Sequence, residues 1–300
     1  MDQSSELLPV DAIAVIGNVL QVQKEEIVHV SVMKRGMTNH SFSFECHGKK
    51  YMIRIAGEGT DRLINRKQEY EVYQKIVPLH ISDKLVYFDV DCGYKITEYL
   101  DQARVCDAAN KLDVRICMRK LRDFHERNLQ VSHTFDMFGQ IRRYESLWED
   151  TPSCFTDYTV TKDQIFELEA WLDQQEKQWT LTHIDAVPDN FLFLPGGGVR
   201  LIDWEYAGMQ DACVDIAMFA VYSMYERREV EFLIDAYYPE GCKVQTRLKI
   251  YGYIACCGLL WSNWCEFKRK LGVEFGAYAL RQYRYAKEYY HIFEEERKRR

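Results

Sequence analysis

Four side chains between positions 183 and 203 carry the chemistry of this sequence: His183, Asp185, Asn190 and Asp203. Phosphoryl transfer needs one carboxylate to orient a hydroxyl and accept its proton. It also needs an amide oxygen and a second carboxylate to hold Mg2+ on nucleotide phosphates. Asp185, Asn190 and Asp203 are therefore the candidate catalytic residues, and Asn190 with Asp203 the candidate metal ligands. Turn-capping aspartates would account for any one of these positions, but less well for all of them in one short span.

The surrounding chain must bring them together. Phe191 to Leu194 and Val199 to Ile202 are apolar runs on either side of Pro195-Gly196-Gly197-Gly198, which is a hairpin signal. Closing that hairpin lets Asp185, Asn190 and Asp203 converge.

Upstream, helical spacing of apolar residues predicts a helix over 11–26, and strands are expected at 28–32, 42–44 and 51–55. The turn from Lys34 to Ser41 offers Thr38, Asn39 and Ser41 as donors around a phosphate. Arg54 is the one charge in its strand, and Glu69 lies in a helix expected over 63–76. A strand-borne cation paired with a helix-borne glutamate is a device for gripping nucleotide phosphates, and an arginine fork suits it. A surface salt bridge is the plainer alternative. Strands at 85–88 and 94–99 form a second hairpin, after which Glu98 and Leu100 are placed to meet the base of a nucleotide. The rest reads as helical over 107–127, 136–149, 162–177, 211–236, 243–270 and 274–297. Strands followed by helices predict an α+β protein, with a sheet-plus-helix lobe over 1–100, a mainly helical lobe over 101–300 and a cleft between them.

Composition narrows the class. The 300 residues are 47% hydrophobic and 14% aromatic, enough for a sizeable core. A formal net charge of −7 argues against nucleic acid as partner and suits a cationic small molecule. The ten cysteines include no C-x-x-C pair. The start lacks a secretory pattern, and no long uncharged apolar run is present. A cytoplasmic protein with reduced thiols and no membrane insertion is expected.

Taken together these residues resemble the choline/ethanolamine kinase family, and within it the bacterial LicA-type choline kinases. The matching stretches are Gly36-Met37-Thr38-Asn39, the run from Gly57 through Asn65-Arg66 to Glu69, His183-Ile184-Asp185-x-Val187-Pro188-x-Asn190, Ile202-Asp203-Trp204-Glu205-Tyr206 with Asp211 and Asp215-Ile216-Ala217, and Leu260-Trp261-Ser262-Asn263-Trp264 with Glu274-Phe275-Gly276. The resemblance implies a bilobal protein-kinase-like fold, ATP with Mg2+, and phosphorylation of an amino-alcohol hydroxyl. It gives Asp185 the role of base, Asn190 and Asp203 the metal, Arg54 and Glu69 the phosphates, and Trp261 and Trp264 the walls of a choline site. Two tryptophans three apart on a helix share a face, and a quaternary ammonium, which has no N–H to donate, is recognised by aromatic faces. Glu205 is expected to add negative charge, with Tyr278 and Tyr283 as further walls. One departure stands out. Relatives tend to carry a glutamate where this chain has Tyr222, which is expected to weaken the cation site or add another aromatic wall.

Choline is the expected acceptor. Ethanolamine, thiamine and aminoglycosides are rivals on the same fold, and a nucleotide-binding pseudokinase acting as an interaction module is the alternative from another class.

Overall fold

The computed structural model describes residues 7–35, 39–57, 60, 63–148 and 150–299. In chain order the elements are α1 (Val10–Leu20), β1 (Val28–Arg35), β2 (Asn39–Cys46), β3 (Lys49–Ala56), α2 (Arg66–Ile76), β4 (Leu85–Phe88), β5 (Lys95–Glu98) and β6 (Arg104–Val105). Then come α3 (Lys111–His125), α4 (Met137–Ser146), α5 (Tyr158–Asp173) and β7 (Trp179–Thr182). The chain continues with β8 (Phe191–Phe193), β9 (Val199–Leu201), β10 (Gly208–Asp211), α6 (Cys213–Tyr222), α7 (Arg227–Tyr237), α8 (Val244–Lys270) and α9 (Ala277–Lys298). These elements form two compact units, Met1–Val105 with Asn190–Ala207, and Cys106–Asp189 with Gly208–Arg300.

The first unit is built on an antiparallel sheet of order β1-β2-β3-β5-β4. Strand alternation divides its two faces. Phe44, Ile53 and Ile96 fall on one face and join Ala12, Ile16, Ile27 and Val30 in the core. On the other face Ser41 of β2 lies opposite Arg54 of β3, which lies opposite Lys95 of β5. The first helix is shorter than expected. It ends where Gln21 turns left-handed, with φ of 56°, and donates its N–H to Gly17. Likewise α2 starts at Arg66 because the Asn65 side chain caps it, accepting from the N–H groups of Lys67 and Gln68.

The hairpin β8–β9 belongs to this first unit, so a single cut between residues 100 and 101 does not describe the division. Two pairings explain the correction. β8 pairs with β6, and the Leu201 N–H donates to the Ile81 carbonyl at 3.0 Å.

The second unit holds α3 to α9 and the two-stranded ladder β7–β10. The helix expected over 211–236 is interrupted. Asp211 ends β10, and α6 stops at Tyr222, just before Met224 adopts a φ of 53°. The long helix α8 is buried on nearly every side along its middle. At Gly258 an added Cβ would lie 2.6 Å from the Ala286 nitrogen and 2.7 Å from the Gln282 carbonyl, so only glycine allows α8 and α9 to pack this closely. Among the described residues no helix is long and apolar enough to cross a membrane. All ten cysteines are free thiols.

Candidate functional site

The first unit gathers charge behind its polar sheet face. Arg54 grips Glu69 of α2 through two bonds, Nη1 to Oε1 at 2.6 Å and Nη2 to Oε2 at 2.8 Å. The surface salt-bridge alternative fails, because both side chains are almost fully buried. Arg66 adds a second fork. Its Nη1 donates to Glu69 Oε2 at 2.7 Å and Glu205 Oε2 at 3.0 Å, and its Nη2 donates to Asn39 Oδ1 at 3.0 Å. Lys95, also buried, lies 3.7 Å from Glu69 Oε1 and donates to the Tyr73 hydroxyl. Burial alone would raise the Glu69 carboxyl, but Arg54, Lys95 and Arg66 overturn that and hold it down at about 2. Glu205 goes the other way: burial and then the charge of Asp203 push its carboxyl up. Burial and the neighbouring Arg54 lower the Lys95 ammonium.

Several expected residues sit in this network in ways their positions in the chain did not show. Asn39 uses its amide to bind Glu205 (Nδ2 to Oε2, 2.8 Å) and to accept from Arg66. Glu205 is thus held by Arg66 and Asn39 in the first unit. Ser41 is half-buried in the row opposite Arg54. Thr38 lies outside the described residues, with Gly36 and Met37. Glu98 closes β5, its N–H donating to the Lys84 carbonyl and its carboxylate accepting from Lys84 Nζ at 2.6 Å. The Leu100 carbonyl accepts from Ala103.

Asn190 and Asp203 meet where the hairpin opens. The Ile202 N–H donates to the Asn190 carbonyl at 2.9 Å, which sets the residue before Asp203 against Asn190. Asp203 adopts a φ of 66°, and its side chain is 35% exposed, with Oδ1 3.3 Å from Arg54. An amide oxygen and a part-exposed carboxylate are hard donors that fit Mg2+, which takes one or two protein ligands and leaves its remaining positions to phosphates and water. No group of three or more His, Cys, Asp or Glu able to hold a metal occurs among the described residues.

In the second unit, β7 delivers the chain into the loop that carries Asp185. The Asp215 carboxylate of α6 organises that loop. Its Oδ2 accepts from the His183 N–H at 2.9 Å, and its Oδ1 accepts from the Ile184 N–H at 2.7 Å. Ile184 has φ of 68°, a costly conformation for a β-branched residue that persists only where neighbours enforce it. His125 of α3 joins Asp215 Oδ2 at 2.9 Å and the Tyr237 hydroxyl at 2.8 Å, all of them buried. In the stretch 181–190 only Asp185 and Asp189 keep part of their surface.

The same unit holds a row of aromatic rings. Trp261 meets Trp264 edge-on at 6.0 Å, Trp264 meets Phe275 at 5.1 Å, Phe275 meets Tyr278 at 6.3 Å, and Tyr278 meets Tyr222 at 6.3 Å. Trp261, Phe275, Tyr278 and Tyr222 are half-buried. Trp264 is 1% exposed, with Lys268 Nζ 5.4 Å from its ring centre. It therefore backs Trp261 and Phe275 instead of offering an open face. Tyr283 is not in the row. It stacks on Phe155 at 3.8 Å and donates to Asp157 at 2.7 Å, a tether to the start of α5 that corrects its expected place as a wall. The row ends near acid. The Tyr222 hydroxyl donates to Asp189 Oδ2 at 3.0 Å, and the Asp185 charge is felt at both Tyr222 and Tyr278.

Sequence reasoning gave no role to Lys95, Asp189, Phe275, His125 or Asp215. Lys95 carried a usable signal, a lysine between apolar residues of a strand. Asp215 and Phe275 stood in matched stretches without a role.

Comparison with known proteins places this geometry. The choline/ethanolamine kinase model matches residues 30–251. Protein LicA of Haemophilus influenzae is 28% identical over 262 residues, 82% of this chain and 96% of that protein. Ethanolamine kinase 2 of Rattus norvegicus is 26% identical over 243 residues, 73% of this chain and 62% of that protein. The crystal structure of choline kinase LicA from Streptococcus pneumoniae aligns with a TM-score of 0.82 at 29% identity, over 94% of this chain and 98% of that one. The chain belongs to the choline/ethanolamine kinase family, with a protein-kinase-like α+β fold, and is a phosphotransferase that uses an alcohol group as acceptor.

Proposed function

We propose that this protein transfers the γ-phosphoryl group of ATP to the hydroxyl of choline, giving phosphocholine and ADP, with Mg2+ on the nucleotide. The choline oxygen forms the new P–O bond as the bond between the γ-phosphorus and the bridging oxygen of ADP breaks. Asp185 orients the hydroxyl and takes its proton. Asn190 and Asp203 would hold the metal, which would neutralise phosphate charge when bound. Arg54 and Lys95 supply positive charge toward the phosphates, and Glu69 and Arg66 hold Arg54 in place. Glu98 and Leu100 would face the base, with Asn39 and Ser41 on the phosphate side.

The observation that carries the choline reading is the ring row from Trp261 to Tyr222, whose Tyr222 and Tyr278 end feels the Asp185 charge. Aromatic faces bind a cation through the ring quadrupole, each contributing roughly 0.5–2 kcal/mol. An ammonium that still carries N–H groups would demand acceptors instead. The test is a coupled assay of ADP release with choline, ethanolamine, thiamine and kanamycin, each with and without Mg2+. The highest kcat/KM is expected with choline, and only with Mg2+. Preference for ethanolamine or kanamycin would reject the choline assignment.

A further inference from the structure

We infer that Asp189 is the carboxylate that selects a cationic acceptor over an uncharged alcohol of the same shape, an inference that rests on the proposed choline reading. Asp189 and Asp185 are the two residues of the 181–190 stretch that keep partial exposure, and both are acids. Asp185 is committed to the hydroxyl. Asp189 lies four residues on, fixed to α6 by the 3.0 Å bond from the Tyr222 hydroxyl.

Tyr222 is itself the last ring of the row, edge-on to Tyr278 at 6.3 Å. One residue therefore touches both the aromatic surface and the Asp189 carboxylate. The hydroxyl stays protonated, because burial and then the Asp189 charge push it well above the ordinary tyrosine range. It donates to Asp189 Oδ2, which sets that carboxylate at the end of the rings. A quaternary ammonium resting on Tyr222 and Tyr278 then gains both ring faces and a net charge, whereas a neutral alcohol gains the faces alone. A purely structural Asp189–Tyr222 bond, tying the loop to α6, would not distinguish these two acceptors.

The experiment compares choline with 3,3-dimethylbutan-1-ol, its uncharged carbon isostere, in the full-length protein. Asp189→Asn keeps an acceptor for Tyr222 but removes the charge. The expected result is a rise of about tenfold in choline KM, with the isostere and ATP KM values unchanged, so that discrimination falls about tenfold. Tyr222→Phe keeps the charge and should preserve discrimination within about twofold. Asp189→Asn combined with Tyr222→Glu should restore it, because the acid returns to the end of the row. Asp189→Ser, also uncharged, is read in the same way if Asp189→Asn does not fold. Unchanged discrimination in the Asp189 variants, or equal collapse in Tyr222→Phe, would overturn the inference while the choline reading stands. Wild-type protein that fails to phosphorylate choline would overturn both.

Discussion

Arg54 and Glu69 meet face to face through two hydrogen bonds of 2.6 and 2.8 Å, and both are almost fully removed from water. Breaking a buried pair strands a charge, which commonly costs 3–5 kcal/mol. Arg54→Met should destabilise by about 3 kcal/mol, near the low end, because Arg66 remains 2.7 Å from Glu69. Arg54→Lys should recover part of the stability but not the fork. Urea unfolding with ATP KM measured on the same preparations checks this, and both should worsen together. An Arg54→Met variant with wild-type stability and ATP KM would remove Arg54 from the phosphate side.

The two carboxylates nearest Arg66 should respond oppositely to pH. Glu69 is held at about 2, below its ordinary value of 4.5, so it contributes stability above pH 4.5 that is lost as pH falls toward 2. Glu205 is raised, so its contribution is fully present below its ordinary value and is lost as pH rises through its folded one. The stability difference between wild type and Glu69→Gln should therefore shrink as pH is lowered from 5 to 3. At pH 7, Glu205→Gln should melt no lower than wild type while losing turnover, as expected where charge is retained for function at a cost in stability. Thermal melts across pH decide both. A clear drop in Tm for Glu205→Gln would mean that the Arg66 and Asn39 bonds outweigh the burial of its charge.

Asp215 accepts two successive backbone N–H groups of the loop leading to Asp185. Asp215→Asn removes the charge that holds them and relaxes the strained Ile184. Misplacing Asp185 by about 1 Å should lower kcat on the order of 100-fold, with choline KM little changed. His125→Gln should follow in the same direction but less severely. Steady-state kinetics separates this from general destabilisation, which would lower the amount of active enzyme without a selective loss of kcat.

Much of this was legible in the chain. The 183–203 stretch announced its hairpin, and Arg54 stood out as the one charge in its strand. Lys95 was missed because nothing local says that β5 lies beside β3, the pairing that sets it opposite Arg54. The partners of Glu205, Arg66 and Asn39, are joined to it only by the tertiary fold, 139 and 166 residues away. The helical period continued through the break after Tyr222, because a left-handed residue such as Met224 leaves no apolar signature. The shared-face argument for Trp261 and Trp264 gave the right neighbours but not their exposure, since α8 is buried on nearly all sides.

That difference in exposure sets their variants apart. Trp261→Leu should raise choline KM about 5- to 30-fold, the range for a cation–π contact of roughly 1–2 kcal/mol, with little change in Tm. Trp264→Leu should cost about 3 kcal/mol of stability as a cavity opens behind Trp261 and Phe275. Melting curves beside choline titrations check the split. The reverse pattern would place Trp264 against the cation.

The most direct measurement follows the phosphoryl group itself. Full-length protein is incubated with choline, Mg2+ and ATP labelled in its γ-phosphate, alongside Asp185→Ala at the same concentration. Label should pass into phosphocholine with wild type, and at least about 100-fold more slowly with Asp185→Ala, which keeps its nucleotide affinity. Label appearing only in inorganic phosphate, or entering phosphocholine equally fast in both proteins, would contradict Asp185-dependent transfer to the choline hydroxyl.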